Sequence, residues 1–493
     1  MKFTVVGGGT AGWMTAATLL KAYPDSQITV YESPDTPATG VGESTTQFFR
    51  YWLNYIGLED EDWMKECDAT YKCSVRFHNF HKKGDDPWQY PFGTPRDDIY
   101  SPDYWYWYQY KKGWKGSKFA SDYCISAKCS DENKLPIGDY ADNYFPLKKF
   151  SGFHFNAVKF ANFLRDTICK PAGVVHKIEK LDGKPDNGSD LYFDCTGFKS
   201  LLNKSPWVSY DEWLPNNSAI VTRVHYDDKD KQIQPVTDCT ALSSGWVWNV
   251  PTWDTIGTGY VYCDKFLSKK KAIKEFRDHL TENVQNDCAV YSDDMFRQIK
   301  FKTGRREEIW KGDVVSIGLS AGFVEPLESN GLLSIHNFLL YFVRLMQKRT
   351  NVTQFMRDTF NNHCNYKFDG FASFVACHYA LTQRDDSPYW KHVSKIRYPR
   401  SFKYDSLLKS IEINYMEESA NFAEKYSMHN LASEAIFYIM SGHGWNPFND
   451  VVEAEMDFLG ANVEEFGNPG WDESEIDKMP TPYQYYKDTI YAN

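Results

Sequence analysis

No Cys-x-x-Cys pair occurs in this chain, and its 11 cysteines are an odd number without regular spacing. That argues against a disulfide framework and against a zinc site; no metal is expected, and reduced thiols in a cytoplasmic protein are the simplest reading. No apolar run reaches the roughly 18 residues needed to span a membrane. Lys2 precedes an apolar stretch, as in a signal peptide, but Gly7-Gly8-Gly9 breaks that stretch and no cleavage-type end follows. Basic charge is lacking as well. The net charge is −11, whereas a duplex nucleic-acid binder needs a basic face to replace phosphate counterions. The short run Lys269-Lys270-Lys271 reads as the solvated face of a helix. There is no internal repeat and no low-complexity linker.

The 493 residues suffice for two or three domains, or for one large domain with an added module. Aromatic residues make up 17% of the chain, enough to fill a core and also to build stacking surfaces for flat ligands. The run Phe3 to Val6 suits a buried parallel strand, Met14 to Leu20 a helix, and Ile28 to Tyr31 the next strand. From about Tyr71 to Tyr262 a mixed sheet with insertions is expected, with a turn or hairpin tip at Asp182 to Gly188. Val314 to Ile317 is a further buried strand returning to the first sheet. A long helix is expected from Gly331 to about Gln347, followed by mostly helical periodicity to about residue 460 and a polar tail from Glu464 to Asn493.

Gly7-x-Gly9-x-x-Gly12 fits the dinucleotide fingerprint. The first glycine permits the tight turn, the second lets backbone approach a pyrophosphate, and the third lets helix and strand pack closely. The helix that follows offers its N-terminal amides and positive dipole end to phosphates. Glu32 lies 20 residues beyond Gly12 at a strand end, where a carboxylate can hold a ribose 2′-hydroxyl and would repel an added 2′-phosphate. The fingerprint alone does not separate FAD from NAD. Only one copy is evident, which suggests one tightly held dinucleotide.

Five segments in order resemble the flavin-dependent halogenases of the tryptophan halogenase type. Gly40-Val41-Gly42-Glu43-Ser44-Thr45-Thr46 is similar to that family's strap over the flavin, and Asp194-Cys195-Thr196-Gly197-Phe198 to its second flavin-proximal motif. Trp246-Val247-Trp248-Asn249-Val250-Pro251 resembles W-x-W-x-I-P with Val250 in place of Ile. The run from Ile317 to Ser329 resembles the family's late signature, and Arg384 to Trp390 a further segment.

The resemblance implies an FAD-binding Rossmann-like α/β core with mixed sheet over residues 1–335, and a mostly helical module over 336–493 that closes the substrate site. It implies FAD, used as FADH2 and supplied by a separate flavin reductase, with oxygen, a halide ion and a small aromatic substrate. The oligomeric state is left open, a homodimer included. Lys72 matches the lysine that binds or captures hypohalous acid, and Glu328 the family's glutamate, which can accept the ring proton. Read from the residues alone, Lys72 is rather a surface lysine in a surface ion pair, a reading that the matched position reverses, and Glu328 is also a first-turn helix carboxylate, which its family role does not exclude. Cofactor-binding positions are Gly7, Gly9, Thr10, Ala11, Gly12, Glu32, Gly42, Glu43, Ser44, Leu319 and Leu332. Asn330 and Gly331 match the halide contacts. Trp246, Trp248 and Pro251 belong to the motif that shields the flavin from organic substrate. Tyr90-Pro91-Phe92-Gly93 resembles a His-Pro-Phe-Gly segment, which makes Tyr90 and Phe92 substrate candidates.

A flavin monooxygenase or oxidoreductase on the same fold is the alternative reading, and a flavin-holding binding protein a third. The natural substrate, the ring position and whether the substrate is free or carrier-tethered are not legible. Many family members have Thr where this chain has Asn330, and the change in pocket size is expected to favour bromide or iodide over chloride. A halide competition assay checks this, and mostly chlorinated product would refute it.

Overall fold

The computed structural model describes residues 1–35, 43–93, 120–284, 292–347, 349, 351–396, 438–439, 441–444 and 471–492. The chain opens with β1 (Lys2–Val6), α1 (Thr10–Ala22) and β2 (Gln27–Glu32). β1 and β2 pair in parallel, Val5 opposite Val30, so α1 is the crossover between them. Five strands of the six-stranded sheet are parallel, in the order Val314–Ser316, Leu191–Asp194, β1, β2, Val175–Ile178, and Trp310–Lys311 adds an antiparallel edge. Helices cover its faces, which is why β1 reads as an unbroken apolar run rather than an alternating one.

Each of the expected elements around the fingerprint is present. The strand foreseen at Val314 to Ile317 is Val314–Ser316, and the helix foreseen from Gly331 is Asn330–Met346. One expectation fails. Asp182 to Gly188 is not a hairpin tip: it links Val175–Ile178 to Leu191–Asp194, which have β1 and β2 between them in the sheet. Both strands run parallel to their neighbours, so their link is a connection across the sheet, which local turn residues alone cannot distinguish from a hairpin.

The second layer is a seven-stranded, mostly antiparallel sheet. Its order is Arg297–Lys300, Ser218–Val224, Ile256–Tyr262, Gly245–Pro251, Val236–Leu242, Ser74–His78, Trp88–Pro91. Along Gly245–Pro251 the side chains alternate between faces: Val247 packs with Phe276 of the helix Lys269–Asn283, whereas Trp246 and Trp248 enter the main core. The lysines Lys269, Lys270 and Lys271 lie exposed on the first turn of that helix. A small sheet of Glu43–Ser44, Gly152–Phe155 and Thr70–Lys72 lies against the second sheet, with Ser44 Oγ 3.0 Å from Thr237 Oγ1.

The helix Asn330–Met346 runs unbroken across residue 335, where the sequence suggested a division, and is followed by the 27-residue helix Gln354–Ala380. Most of residues 397–470, the greater part of the expected helical module, lies outside the described residues. The Arg384 to Trp390 segment ties the end of the long helix to the second sheet. Arg384 binds both oxygens of Asp386 at 2.8 Å, donates to the Ala241 carbonyl, and stacks 4.4 Å from the Trp390 ring. No helix among the described residues is long and apolar enough to cross a membrane, and no group of three or more metal-ligating side chains occurs among them.

A Cβ at Gly12 would lie 1.8 Å from the Gly7 carbonyl oxygen, whereas one at Gly9 would meet nothing within 4 Å. Gly12→Ala should therefore cost about 2 kcal/mol or more, since the obstacle is backbone, while Gly9→Ala, which meets no obstacle and only replaces a favoured cap residue, should cost about 1 kcal/mol or less. Denaturant unfolding of the two variants tests this; equal stabilities would mean that the turn relaxes freely.

Candidate active site

Two clusters of functional side chains emerge. The first lines the turn between β1 and α1. Gly9 caps α1 without any side-chain bond to its first amides, so those N–H groups remain available to an anion. A Cβ at Gly8 would lie 2.4 Å from the Glu32 side chain, so a glycine is needed there for the carboxylate to reach the turn. Glu32 Oε2 lies 2.9 Å from His176 Nε2, which leaves Oε1 outside that pair. Thr10 donates to the Ala157 carbonyl at 3.2 Å, and Ala11 faces the turn that begins at Gly318. Leu319 is half-buried beside it and Leu332 is buried. Uncapped amides, an open backbone at Gly9 and a carboxylate at the end of β2 fit an adenine dinucleotide. Gly42, foreseen as part of this site, lies outside the described residues. Its neighbours Glu43 and Ser44 form the short strand, and burial pushes the Glu43 carboxyl up to about 7.

The second cluster centres on Lys72, at the end of the strand Thr70–Lys72 and fully buried. Its Nζ donates to Ser329 Oγ at 2.7 Å and to Ser44 Oγ at 2.9 Å, and lies 5.0 Å from the centroid of the Phe92 ring. Burial brings the Lys72 amine down to about 7, against the pull of the Glu328 carboxylate and, more weakly, of Cys239. Lys72 is therefore poised between ammonium and amine near neutral pH. It is no surface lysine in a surface ion pair.

Glu328 ends a short turn and is 4% exposed. His378 Nε2, on the long helix, stands 2.9 Å from its Oε1, but the two are not aligned as a hydrogen bond. Both Glu328 oxygens and His378 Nε2 thus lack hydrogen-bond partners. Nδ1 of His378 lies 3.2 Å from the Phe374 carbonyl, to which only a protonated ring nitrogen can donate. Buried polar atoms left in this way mark the position of a guest that completes them. Tyr90 and Phe92, 5.9 Å apart between ring centroids, line the same region with Phe374 and Tyr438.

Behind this cluster stands a second carboxylate, Glu325. Its Oε2 accepts from Tyr379 at 2.6 Å, Asn216 at 2.8 Å and Trp246 Nε1 at 3.1 Å, and burial raises its pKa. Glu325 thereby anchors the first tryptophan of the Trp246, Trp248, Pro251 strand, whose two indole rings lie 6.0 Å apart. Its backbone carbonyl also accepts from Asn330 Nδ2 at 3.0 Å, so the Asn330 side chain turns back rather than outward. Ser329 precedes the helix in the left-handed conformation, φ +55°, and does not cap it. Its hydroxyl is engaged by Lys72 instead, and the amides of the first turn, from Asn330 and Gly331 onward, have no cap of their own.

Sequence reading missed Glu325, His378 and two residues that reach Lys72 through Ser44: Thr237, whose Oγ1 lies 3.0 Å from Ser44 Oγ, and His154, whose Nε2 lies 2.7 Å from Thr237 Oγ1. The first had a signal, since Glu325-Pro326-Leu327-Glu328 holds two carboxylates three apart. His154 also had one, a polar residue inside the apolar strand Gly152–Phe155. His378 and Thr237 had none: a histidine on a helix and a threonine on a strand are ordinary until tertiary structure brings them to a site.

Comparison with known proteins agrees with this geometry. The family model described as tryptophan halogenase matches residues 2–448. Tryptophan 6-halogenase SttH of Streptomyces toxytricini is 33% identical over 454 residues, covering 83% of each chain. Tryptophan 7-halogenase RebH of Lentzea aerocolonigenes is 31% identical over 80% of this chain and 79% of its own. Among solved structures, VirX1 in its apo form superposes with a TM-score of 0.86 at 32% identity, covering 100% of this chain and 99% of its own. The SttH crystal structure superposes with a TM-score of 0.82 at 29% identity, covering 98% and 99%.

The depressed Lys72 pKa makes a stability prediction. Below about pH 7 the amine is charged in both the folded and the unfolded chain, and folding must bury that charge. Between about 7 and the ordinary 10.5 the unfolded chain still holds the proton and the folded one does not, so stability rises with pH. Wild type should gain on Lys72→Met by up to about 1.4 kcal/mol per pH unit across that window. Denaturant unfolding at pH 6, 7.5 and 9 measures the gap; a constant gap would mean that Lys72 titrates as an ordinary lysine.

Proposed function

The chain belongs to the tryptophan halogenase family, and from that premise we propose that it is an FADH2- and oxygen-dependent enzyme that halogenates an electron-rich aromatic ring of the indole, phenol or pyrrole type. Reduced FAD, renewed by a separate flavin reductase, supplies hypohalous acid from oxygen and halide when bound. The observation that carries the reading is Lys72, a fully buried amine near its titration point beside a buried carboxylate with both oxygens unpartnered.

In this reading Lys72 binds hypohalous acid through its N–H groups or, as the free amine, takes up the halogen while the oxygen departs as water. Ser44 and Ser329 hold Nζ at one end, so its remaining valence turns toward Phe92 and the substrate side. Tyr90 and Phe92 stack on the substrate ring. Glu328, with His378 beside it, accepts the proton that leaves the ring as the halogen enters. The helix amides at Asn330 and Gly331 attract halide near the Lys72 charge. Trp246, Trp248 and Pro251, braced by Glu325, form the wall that keeps organic substrate from the flavin, and Gly7, Gly9, Gly12 and Glu32 hold the dinucleotide end.

Mass spectrometry of an aromatic panel incubated with the protein, FAD, a flavin reductase, NADH, oxygen and each halide in turn tests the proposal. A halide mass shift that depends on the enzyme is expected. Lys72→Ala should lose about 100-fold or more in rate with FAD affinity unchanged, Glu328→Gln should lose rate with little effect on flavin binding, and Gly9→Ala should weaken FAD binding. Oxygen insertion without halide would replace this reading with a monooxygenase.

A further inference from the structure

Lys72 is the start of a buried hydrogen-bonded chain that no step above uses. Ser44 Oγ, which accepts from Lys72, lies 3.0 Å from Thr237 Oγ1, and Thr237 Oγ1 lies 2.7 Å from His154 Nε2. Lys72, Thr237 and His154 are each at most 4% exposed, and Ser44 between them is half-buried. Four strands meet to build the chain: His154 pairs with both Ser44 and Thr70 in the small sheet, and Thr237 reaches in from the second sheet.

Proton counting gives the chain a direction. A hydroxyl has one proton to donate. Ser329 accepts from Lys72 and donates to Ser44 at 3.1 Å. Ser44 therefore accepts twice, from Lys72 and from Ser329, and its own proton can go only to Thr237. A relay in which Thr237 donates in turn to His154 Nε2 requires that nitrogen to be bare. The imidazole is then the Nδ1–H tautomer, and its Nδ1 has no aligned hydrogen-bond partner.

We propose that Ser44, Thr237 and His154 are a proton relay for Lys72, taking its ammonium proton when the amine must be free and returning it afterwards. In the forward step an N–H bond breaks at Lys72 and an O–H bond forms at Ser44. Ser44 passes its former proton to Thr237, Thr237 passes its own to His154, and a new N–H bond forms at Nε2. The amine becomes neutral and the imidazole becomes imidazolium, so no proton is gained or lost. The return step reverses each bond.

The groups facing His154 fit one proton shared by two sites. Burial, then the Lys72 charge, hold the ring neutral, whereas the Asp238 carboxylate and the Pro251 carbonyl favour its charged form. The Lys72 contribution vanishes once Lys72 is discharged. Asp238 is itself held by Arg76 and His78, both at 2.7 Å, so its charge is fixed near the relay. Glu328 and Cys239 are the groups that face Lys72 from the other side.

The role in turnover rests on the function proposed above, but the relay can be tested apart from it. In the full-length protein, histidine 15N NMR at pH 6 should show His154 with Nε2 unprotonated and Nδ1 protonated. A protonated Nε2 would overturn the relay whatever the activity. Lysine ε-13C NMR, with Lys72 identified by its loss in Lys72→Met, should show its midpoint displaced in Thr237→Val by about half a pH unit or more and restored in Thr237→Ser. An unmoved midpoint in a folded Thr237→Val would also overturn it. In turnover, Thr237→Val should lower kcat with KM unchanged and lose a multi-proton solvent isotope effect that wild type and Thr237→Ser retain. An isotope effect equal in all three proteins would remove the relay from the reaction. Undiminished halogenation by Lys72→Met would instead sink the proposed function, while the two NMR readouts would still judge the relay.

Discussion

The burial of one amine governs the rest of this molecule's chemistry. Removing an ammonium from water costs several kcal/mol unless its protons find acceptors, and few groups in a core can serve without adding charge. This protein uses hydroxyls. Ser44 and Ser329 lie 28 and 257 residues from Lys72, so the small sheet must be in register for one bond and the start of the helix Asn330–Met346 must dock against it for the other. The result is an amine held near neutrality of charge, with a carboxylate, an aromatic ring and an uncapped helix start gathered around it.

The same segment that supplies Ser329 also braces the tryptophan strand. Glu325 and Glu328 are separated by one short turn and do opposite things. Glu325 is saturated on one oxygen by Tyr379, Asn216 and the Trp246 indole, which makes it a brace. Glu328, near the Lys72 amine and the unaligned His378 ring, has no hydrogen-bond partner on either oxygen. Neighbouring acids on one turn thus divide into a braced and an unpartnered member through what the second sheet and the long helix bring to each.

How much of this was legible depends on whether the signal was local. The fingerprint glycines, α1, β2 and Glu32 could be read because the strand, turn and helix that give them meaning are contiguous. Lys72 and Glu328 were visible only as members of recognisable segments; by themselves, a lysine on a strand and a glutamate at a helix start are ordinary. The Asp182 to Gly188 turn was read correctly as a turn and wrongly as a hairpin tip, because strand order is set by long-range pairing.

Sequence by itself determined the nucleotide turn, the family and the chemical types placed near the site, since those depend on short-range stereochemistry and on motifs in order. Only tertiary structure decided that Lys72 would be dry and close to its titration point, that Glu325 would brace and Glu328 would not, and that Thr237 and His154 would stand behind Ser44. Those properties come from desolvation and from hydrogen bonds between residues tens to hundreds of positions apart, and no local pattern encodes either.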